Sequence, residues 1–495
     1  MELVKLKKLI KDIPGISIKG SKEIEITGIC SNSKLVAPGN LFIAKKGLTR
    51  DGAQFIPDAV SSGAVAIVTE MYNPFFSHIV QVIAEDILTA ESLIAQEYYH
   101  HASRRLCLVG VTGTNGKTTT SYLIKHLFDQ MHFSCGLIGT IEWIVGNHFF
   151  PSTLTTSDVI TNNKLFHEML SEGCKGCVME VSSHALEQQR VRSIEFDIAI
   201  FTNLTQDHLD YHQTMQAYAD AKSLLFSSLH NRDKFYPKYA IINADSPFAS
   251  HMIKQCPAHI MTYGIDHACD LKASDIQLTP TGMQGTMHYQ NTSYPFKSRL
   301  IGRFNVYNLL AAISVGIVRS YSLEDILEAL RSFHSVQGRL ERVENKQGLN
   351  IFVDYAHTDD ALVNVLKTLR EIAKKRVITV FGCGGNRDQT KRPKMAAAAE
   401  NWSDLVIVTS DNPRSEDPMD IIAQILPGFT HLENVHVIVD REEAIRTAVN
   451  LCTPDDILLI AGKGHETYQI FSHGTVAFDD RKIARDASAS IRHLA

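Results

Sequence analysis

The spacing of apolar and polar positions divides the chain into three stretches. Up to about residue 103, the short runs Ile24-Glu25-Ile26-Thr27, Leu41-Phe42-Ile43-Ala44, Ala64-Val65-Ala66-Ile67-Val68 and Ile79-Val80-Gln81-Val82-Ile83 predict strands, ahead of a helical pattern over about 86–99. From about 104 the rhythm becomes strand, glycine-rich turn, helix. Leu106-Cys107-Leu108-Val109 predicts a strand, about 117–131 a helix, and Gly176–Val181, Phe196–Phe201 and Tyr239–Asn243 further strands. After Gly338-Arg339-Leu340-Glu341 come strand candidates Asn350–Asp354, Val377–Phe381, Leu405–Thr409, Val435–Val439 and Ile457–Ala461, separated by helical stretches. This alternation predicts an α/β protein whose mainly parallel sheets carry their ligand loops at the strands' carboxyl ends. Three domains are expected: a small N-terminal α/β domain over 1–103, a central parallel-sheet domain over 104–335 and a C-terminal Rossmann-like domain over 336–495.

Composition narrows the class. With 44% hydrophobic and 21% charged residues the chain is ordinary for a globular protein, and no window has the uninterrupted apolar length of a membrane span. Its start, Met1-Glu2-Leu3-Val4-Lys5-Leu6-Lys7-Lys8, lacks a signal-type apolar core, so a soluble, cytoplasmic protein is expected. A net charge of −5 argues against a nucleic-acid surface. Nine scattered cysteines read as reduced thiols. The one close pair, Cys174-Lys175-Gly176-Cys177, has no second pair to complete a zinc set and reads as turn filling.

The candidate chemistry begins at Gly110-Val111-Thr112-Gly113-Thr114-Asn115-Gly116-Lys117-Thr118-Thr119-Thr120, between a predicted strand and a predicted helix. This is the setting of a phosphate-binding loop: backbone N–H groups close around phosphates, Lys117 reaches the terminal ones and the Thr118 hydroxyl is placed for Mg²⁺. The generic pattern wants its first glycine where Val111 stands, so this is a P-loop subtype. Glu180, ending an apolar run before Val181-Ser182-Ser183-His184, would bring a carboxylate to the same rim, where it can hold Mg²⁺ directly or through water; otherwise it is a cap or surface residue. Thr202 to His212 crowds His and Asp residues, which suits metal, phosphate or proton transfer, or else a polar loop capping the next helix through Asp210 or Thr214. Lys222, read from physics alone, is a solvated helix lysine.

Taken together, Thr112 to Thr119, Glu180-Val181-Ser182-Ser183-His184, Asn203-Leu204 through Asp207-His208-Leu209-Asp210, Asp354-Tyr355-Ala356-His357, Cys383-Gly384-Gly385-Asn386-Arg387-Asp388, Asp411-Asn412-Pro413-Arg414 and Gly462-Lys463-Gly464-His465-Glu466 closely resemble the Mur ligases, over almost the whole chain. The resemblance implies an N-terminal domain holding a uridine nucleotide, a central ATPase and a C-terminal domain bringing an amino acid. ATP would phosphorylate the D-glutamate side-chain carboxylate of UDP-N-acetylmuramoyl-L-alanyl-D-glutamate, and an amine would attack the acyl phosphate. It further implies that Gly113, Thr114, Asn115, Gly116, Lys117, Thr118, Thr119, Asn305, Asn308, Arg339 and Asp354 bind ATP. Thr118 and Glu180 would serve one Mg²⁺, and His208 with Lys222, carboxylated by CO₂ to a carbamate, a second, with Lys117, His208 and Lys222 catalytic. Ser31, Ser33, Thr155, Thr156, Ser182, Gln188 and Arg190 match positions on the UDP-muramoyl-dipeptide.

In the same family reading, Asp411-Asn412-Pro413-Arg414 looks like the meso-2,6-diaminopimelate form of the specificity motif, since Arg414 offers two hydrogen bonds to a far carboxylate that L-lysine lacks. Arg387, Gly462 and Glu466 match the other contacts to that amino acid. The expected partners are therefore ATP, the UDP-muramoyl-dipeptide and meso-diaminopimelate, handled by a monomer without nucleic acid or a membrane span. Two departures stand out, Asp359 where the family usually has proline, and Thr390 in the segment after Arg387. A folylpolyglutamate synthetase, another Mur ligase, a P-loop phosphotransferase and a catalytically lapsed nucleotide-binding module are the competing readings.

Overall fold

The computed structural model describes residues 3–47, 50–230 and 237–491. They form two compact units, Met1–Lys272 with Asn308–Ile326, and Ala273–Tyr307 with Leu327–Ala495.

In the first unit the amino-terminal strands build a five-stranded sheet in the order Ile16–Lys19, Val80–Ala84, Ala66–Thr69, Asn40–Ile43, Gly28–Cys30. Only the Ile16–Lys19 edge is antiparallel. Leu41, Ile43, Ala66, Val68 and Val82 are fully buried in one cluster with Ile87, Ala90 and Ile94 of the helix Ile87–Tyr98. That helix begins where Asp86 accepts from the Thr89 backbone N–H at 2.9 Å. Of the run expected as a strand at Ile24–Thr27, Glu25–Ile26 forms one and pairs with Val4–Lys5, while the five-stranded sheet takes Gly28–Cys30, just beyond the run. Between them the Thr27 carbonyl is taken by the Tyr98 hydroxyl at 2.8 Å rather than by a neighbouring strand.

The larger sheet of this unit runs His148–Pro151, Glu142–Val145, Cys135–Ile138, Gly176–Glu180, Cys107–Thr112, Ile198–Phe201, Tyr239–Asn243, His259–Gly264. Neighbours from Cys135–Ile138 onward pair in parallel, and the first two strands turn back antiparallel at one edge. Parallel strands covered on both faces appear in sequence as unbroken apolar runs, which is why the central ones were predicted. The edge strand His148–Pro151 is exposed at every position and carries no such signal.

The second unit holds a six-stranded sheet in the order Glu341–Arg342, Asn350–Asp354, Ile457–Ala461, Val377–Phe381, Leu405–Val408, Val435–Val437, parallel except at its first edge. Alternate residues feed two cores. Phe352, Phe381 and Leu459 pack on one face, and Ile351, Val353, Ile378, Val380 and Leu458 on the other. The antiparallel hairpin Gly282–Tyr289 with Thr292–Ser298 was not predicted, because its positions mix buried and exposed residues without an apolar run.

A wholly buried ion pair ties this sheet together. Arg441 donates through Nε and Nη2 to Asp480, both at 2.8 Å, and its nitrogens also reach the carbonyls of Ser410 at 3.3 Å and Ala461 at 2.9 Å. Those carbonyls stand directly before Asp411 and Gly462. Asp480→Ala leaves a buried guanidinium without its counter-charge, so its expected cost is about 3–5 kcal/mol, read as a lowered urea midpoint. Among the described residues no helix is long and apolar enough to cross a membrane, and the nine cysteines are free thiols.

Candidate active site

The strand Cys107–Thr112 ends in the turn Gly113–Gly116, and the helix Lys117–Gln130 begins immediately after it. Gly113 has φ +150° and Gly116 φ +85°, and a Cβ at either would collide with a side-chain oxygen, of Thr202 and Asn308 respectively. The turn is pinned from the next strand: the backbone N–H groups of Thr114 and Asn115 donate to the Asn203 carbonyl and Oδ1, each at 2.9 Å. Asn308 accepts from Thr120 Oγ1 at 3.2 Å, which holds it beside the turn. Lys117 Nζ bends back to the Gly113 and Thr114 carbonyls at 2.9 and 2.8 Å, and Lys222 Nζ reaches the same Gly113 carbonyl at 2.9 Å. A helix N-terminus with the Lys117 side chain folded back over the turn before it suits an anion.

Glu180, the last residue of its strand, is fully buried. Its Oε2 accepts from Thr118 Oγ1 and Thr140 Oγ1, both at 3.0 Å, and its Oε1 from the Thr140 N–H at 2.9 Å. Its side chain therefore faces the first turn of the Lys117–Gln130 helix and is neither a cap nor on the surface. Gly139 leaves room for it, since a Cβ there would come within 2.5 Å of Oε1. Carboxylate and hydroxyl are hard oxygen donors that suit Mg²⁺. Among the described residues no group of three or more His, Cys, Asp or Glu could hold a metal ion.

The residues matched to the muramoyl-dipeptide continue from this carboxylate. Thr155 Oγ1 lies 3.1 Å from Thr140 Oγ1, and Thr156 Oγ1 donates to the Glu180 carbonyl at 2.8 Å while accepting from the Ser182 N–H at 3.0 Å. Arg190 donates to the Thr156 carbonyl at 3.1 Å and to Gln188 Oε1 at 2.5 Å, and Gln188 donates to the Tyr211 hydroxyl at 3.2 Å. Ser182 also caps the helix Ser183–Glu187. In the amino-terminal sheet domain Ser33 is buried at the start of a short turn capped by Asn32, with Ser31 half-buried before it.

Lys222 is the clearest departure from a reading based on residue type. It is only 1% exposed, on the buried face of Met215–Ser227, with Nζ 4.6 Å from the centre of the Tyr218 ring. Burial, and then repulsion from Lys117, hold its amine well below the ordinary lysine range. A neutral amine is the form that adds CO₂, so the environment fits a carbamate. His208, at φ +54°, packs edge-on to His184 with ring centres 4.8 Å apart. Burial lowers His208 and takes His184 down to about 4, where neighbouring His208, His212 and Arg190 add to the effect. The capping alternative holds for Thr214, which accepts from the Ala217 N–H at 3.1 Å. Thr140, Tyr218 and His212 were not singled out from sequence. His212 stood visibly in a histidine-rich loop, whereas Thr140 and Tyr218 carry no signal of their own.

In the second unit Asp354 accepts from the Leu340 and Ala356 N–H groups at 2.7 and 2.8 Å, and burial raises its carboxyl against the pull of Arg339. Arg339 stacks over the Tyr355 ring at 5.1 Å. A cavity of about 400 Å³ opens at Asn305, Ile301 and Leu340, rimmed by Arg299, Arg342 and Arg485.

The Asp411–Arg414 segment lies in the same unit. Asp411 Oδ2 is buried without a partner, and Gly462, at φ +115°, lets the next strand end approach: a Cβ there would stand 2.6 Å from that oxygen. Arg414, at φ +55°, donates through Nη1 to the Gly385 carbonyl at 2.8 Å, just after Pro413. Arg387 and Arg414 flank Gly384, whose Cβ would lie 3.7 Å from one and 2.9 Å from the other. Asn386 Oδ1 joins their loops by accepting from Ser415 N and Oγ at 3.2 and 2.9 Å. Asn412 donates to Glu466 Oε2 at 2.9 Å. The two family departures leave this intact. Asp359 opens the helix Asp359–Ile372 behind the Thr358 cap, where a negative charge favours the helix dipole, and Thr390 is held by Asp388 directly before Lys391–Trp402.

Three family models match along the chain: "Mur ligase family, catalytic domain" over residues 25–94, "Mur ligase middle domain" over 111–316 and "Mur ligase, glutamate ligase domain" over 338–464. The chain is 44% identical over 486 residues to the UDP-N-acetylmuramoyl-L-alanyl-D-glutamate--2,6-diaminopimelate ligase of Geobacillus thermodenitrificans, covering 98% of this chain and 99% of the relative. The enzyme of the same name from Geobacillus kaustophilus is likewise 44% identical over 486 residues, with the same coverage. A solved structure of a ligase of that name superposes with a TM-score of 0.72 at 33% identity, covering 99% of both chains. By sequence and by fold, this chain belongs to the Mur ligase family.

Proposed function

We propose that this chain is an ATP-dependent amide ligase of peptidoglycan synthesis. It adds meso-2,6-diaminopimelate to the D-glutamate side-chain carboxylate of UDP-N-acetylmuramoyl-L-alanyl-D-glutamate, with release of ADP and phosphate. The observation that carries this reading is 44% identity to diaminopimelate-adding ligases over 98% of the chain. It acts on a nucleotide-linked precursor as a cytoplasmic monomer that supports cell shape and division, with residues 1–103 for the uridine nucleotide, 104–335 for ATP and 336–495 for the amino acid.

The reaction needs a carboxylate, a poor electrophile, turned into an acyl phosphate. A carboxylate oxygen attacks the terminal phosphorus of ATP and ADP leaves. The amine then attacks the carbonyl carbon and expels phosphate, losing its proton. The helix N-terminus from Gly116 to Thr119 receives the phosphates on its N–H groups, with the Gly113–Asn115 turn held in place by Asn203 and Lys117 offsetting the charge of the transferring phosphoryl. Thr118 and Glu180 hold one Mg²⁺, and His208 with carboxylated Lys222 a second; these ions, when bound, supply the remaining positive charge. Asn305, Asn308, Arg339 and Asp354 serve the rest of the nucleotide. Ser31, Ser33, Thr155, Thr156, Ser182, Gln188 and Arg190 hold the UDP-muramoyl-dipeptide. Arg387, Asp411, Asn412, Pro413, Arg414, Gly462 and Glu466 take meso-diaminopimelate, with the paired arginines facing its far carboxylate and the acids its ammonium.

The test is incubation with ATP, Mg²⁺ and the UDP-muramoyl-dipeptide, with meso-diaminopimelate or L-lysine in parallel. A tripeptide mass and phosphate release with meso-diaminopimelate alone is the expected result. Product with lysine alone would overturn the reading of Arg414, and product with neither would overturn the function.

A further inference from the structure

One fully buried lysine in the second unit has no part in the function as described. Lys463 is inserted between Gly462 and Gly464, whose φ values of +115° and +54° turn the backbone so that its side chain points inward. A Cβ on Gly464 would stand 2.7 Å from the Tyr355 Cβ, so the insertion needs glycine there. An ammonium with no solvent exposure is costly unless it is paired and hydrogen-bonded. Lys463 Nζ donates to Asn412 Oδ1 at 3.0 Å and to Glu466 Oε2 at 2.9 Å, and lies 5.5 Å from the centre of the Tyr468 ring. The Ile470 N–H donates to the same Asn412 oxygen at 3.0 Å, which turns the amide nitrogen toward Glu466 Oε2 at 2.9 Å.

The three side chains close a ring of hydrogen bonds. Within it, one oxygen of Glu466 is committed to Asn412 and Lys463, leaving Oε1 as the oxygen that faces an incoming ammonium. Asn412 is at the same time part of the segment that carries Asp411 and Arg414. We propose that Lys463 is a positioning residue that determines specificity: it locks Asn412 and Glu466 into the arrangement that receives the amino acid, joining the acidic and the arginine-bearing sides of that site. This rests on the functional assignment of those two residues given above. Replacing the ammonium with an apolar group leaves Glu466 without its cation and frees it to rotate toward solvent. The amino-acid site then loosens while ATP and the UDP-muramoyl-dipeptide bind as before.

The experiment measures kcat and the three KM values for Lys463→Met, with Lys463→Gln as the second variant should the first not melt cooperatively. The expected result is a rise of about tenfold in KM for the amino acid, equivalent to roughly 1.4 kcal/mol, with the KM values for ATP and the UDP-muramoyl-dipeptide changed less than about twofold. Equal rises in all three, or none, would overturn the proposal. A double-mutant cycle with Asn412→Leu adds a second criterion. The double variant is expected to be no worse than the poorer single one, and multiplicative losses would overturn action through Asn412. The split is read with whichever amino acid the wild type uses. A wild type that prefers L-lysine therefore overturns the functional reading while Lys463 is still judged, and a wild type that uses neither amino acid overturns both.

Discussion

Lys222→Ala is expected to lose about three orders of magnitude in kcat, the scale seen when a group stabilising transition-state charge is removed, and to recover part of that loss when acetate or propionate is added. The argument starts from burial: the side chain is 1% exposed, its amine is held well below the ordinary lysine range, and Lys117 adds repulsion. An ammonium in that position would add positive charge beside a loop that already has Lys117, whereas a carbamate adds an anion able to pair with a cation. Truncation to alanine opens a space bounded by the Tyr218 ring and the Gly113 carbonyl, into which a short carboxylate fits in place of the carbamate. Steady-state kinetics with and without the carboxylate, together with the intact mass of the wild type in bicarbonate, check this. No rescue and a wild-type mass lacking added CO₂ would argue that Lys222 acts as an amine.

Arg414→Ala is expected to raise the KM for meso-diaminopimelate about 100-fold while leaving the KM for ATP within about twofold. A buried or partly buried carboxylate that loses its paired donors sacrifices kilocalories, and a site built to hydrogen-bond a group discriminates strongly when that partnership is broken. The backbone supports a dedicated role, since Arg414 is held at φ +55° with its N–H bonded to the Ile470 carbonyl at 2.9 Å. Equal loss of amino-acid and ATP affinity would show that Arg414 only supports the loop.

Much of this was legible in the sequence because the central strands are covered on both faces and the P-loop sits between a strand and a helix. Val109, Val111, Val178 and Ile200 are fully buried, and buried parallel strands cannot afford polar alternation, so their runs stand out. The strands at Glu142–Val145 and His148–Pro151, at one end of the sheet, and the hairpin ending at Ser298, pair antiparallel with part of their surface in water, and their sequence reads as loop. Lys222 is more instructive. It follows Tyr218 by four residues and precedes Phe226 by four, so it lies on the face that buries both. Its helical position puts it inside, but the reading from residue type put it in solvent. Family resemblance corrected that reading, and the burial explains it. Thr140 and Tyr218 were beyond reach for another reason: a lone threonine or tyrosine becomes meaningful only when folding brings Glu180 or Lys222 against it.

The most direct test uses UDP-N-acetylmuramoyl-L-alanyl-D-glutamate labelled with ¹⁸O in both oxygens of the D-glutamate side-chain carboxylate, incubated with ATP, Mg²⁺ and meso-diaminopimelate. Both products are then weighed. If ATP activates that carboxylate and the amine displaces phosphate, each phosphate released carries one ¹⁸O atom and the tripeptide keeps the other. Unlabelled phosphate, or phosphate release without a tripeptide, would contradict the account.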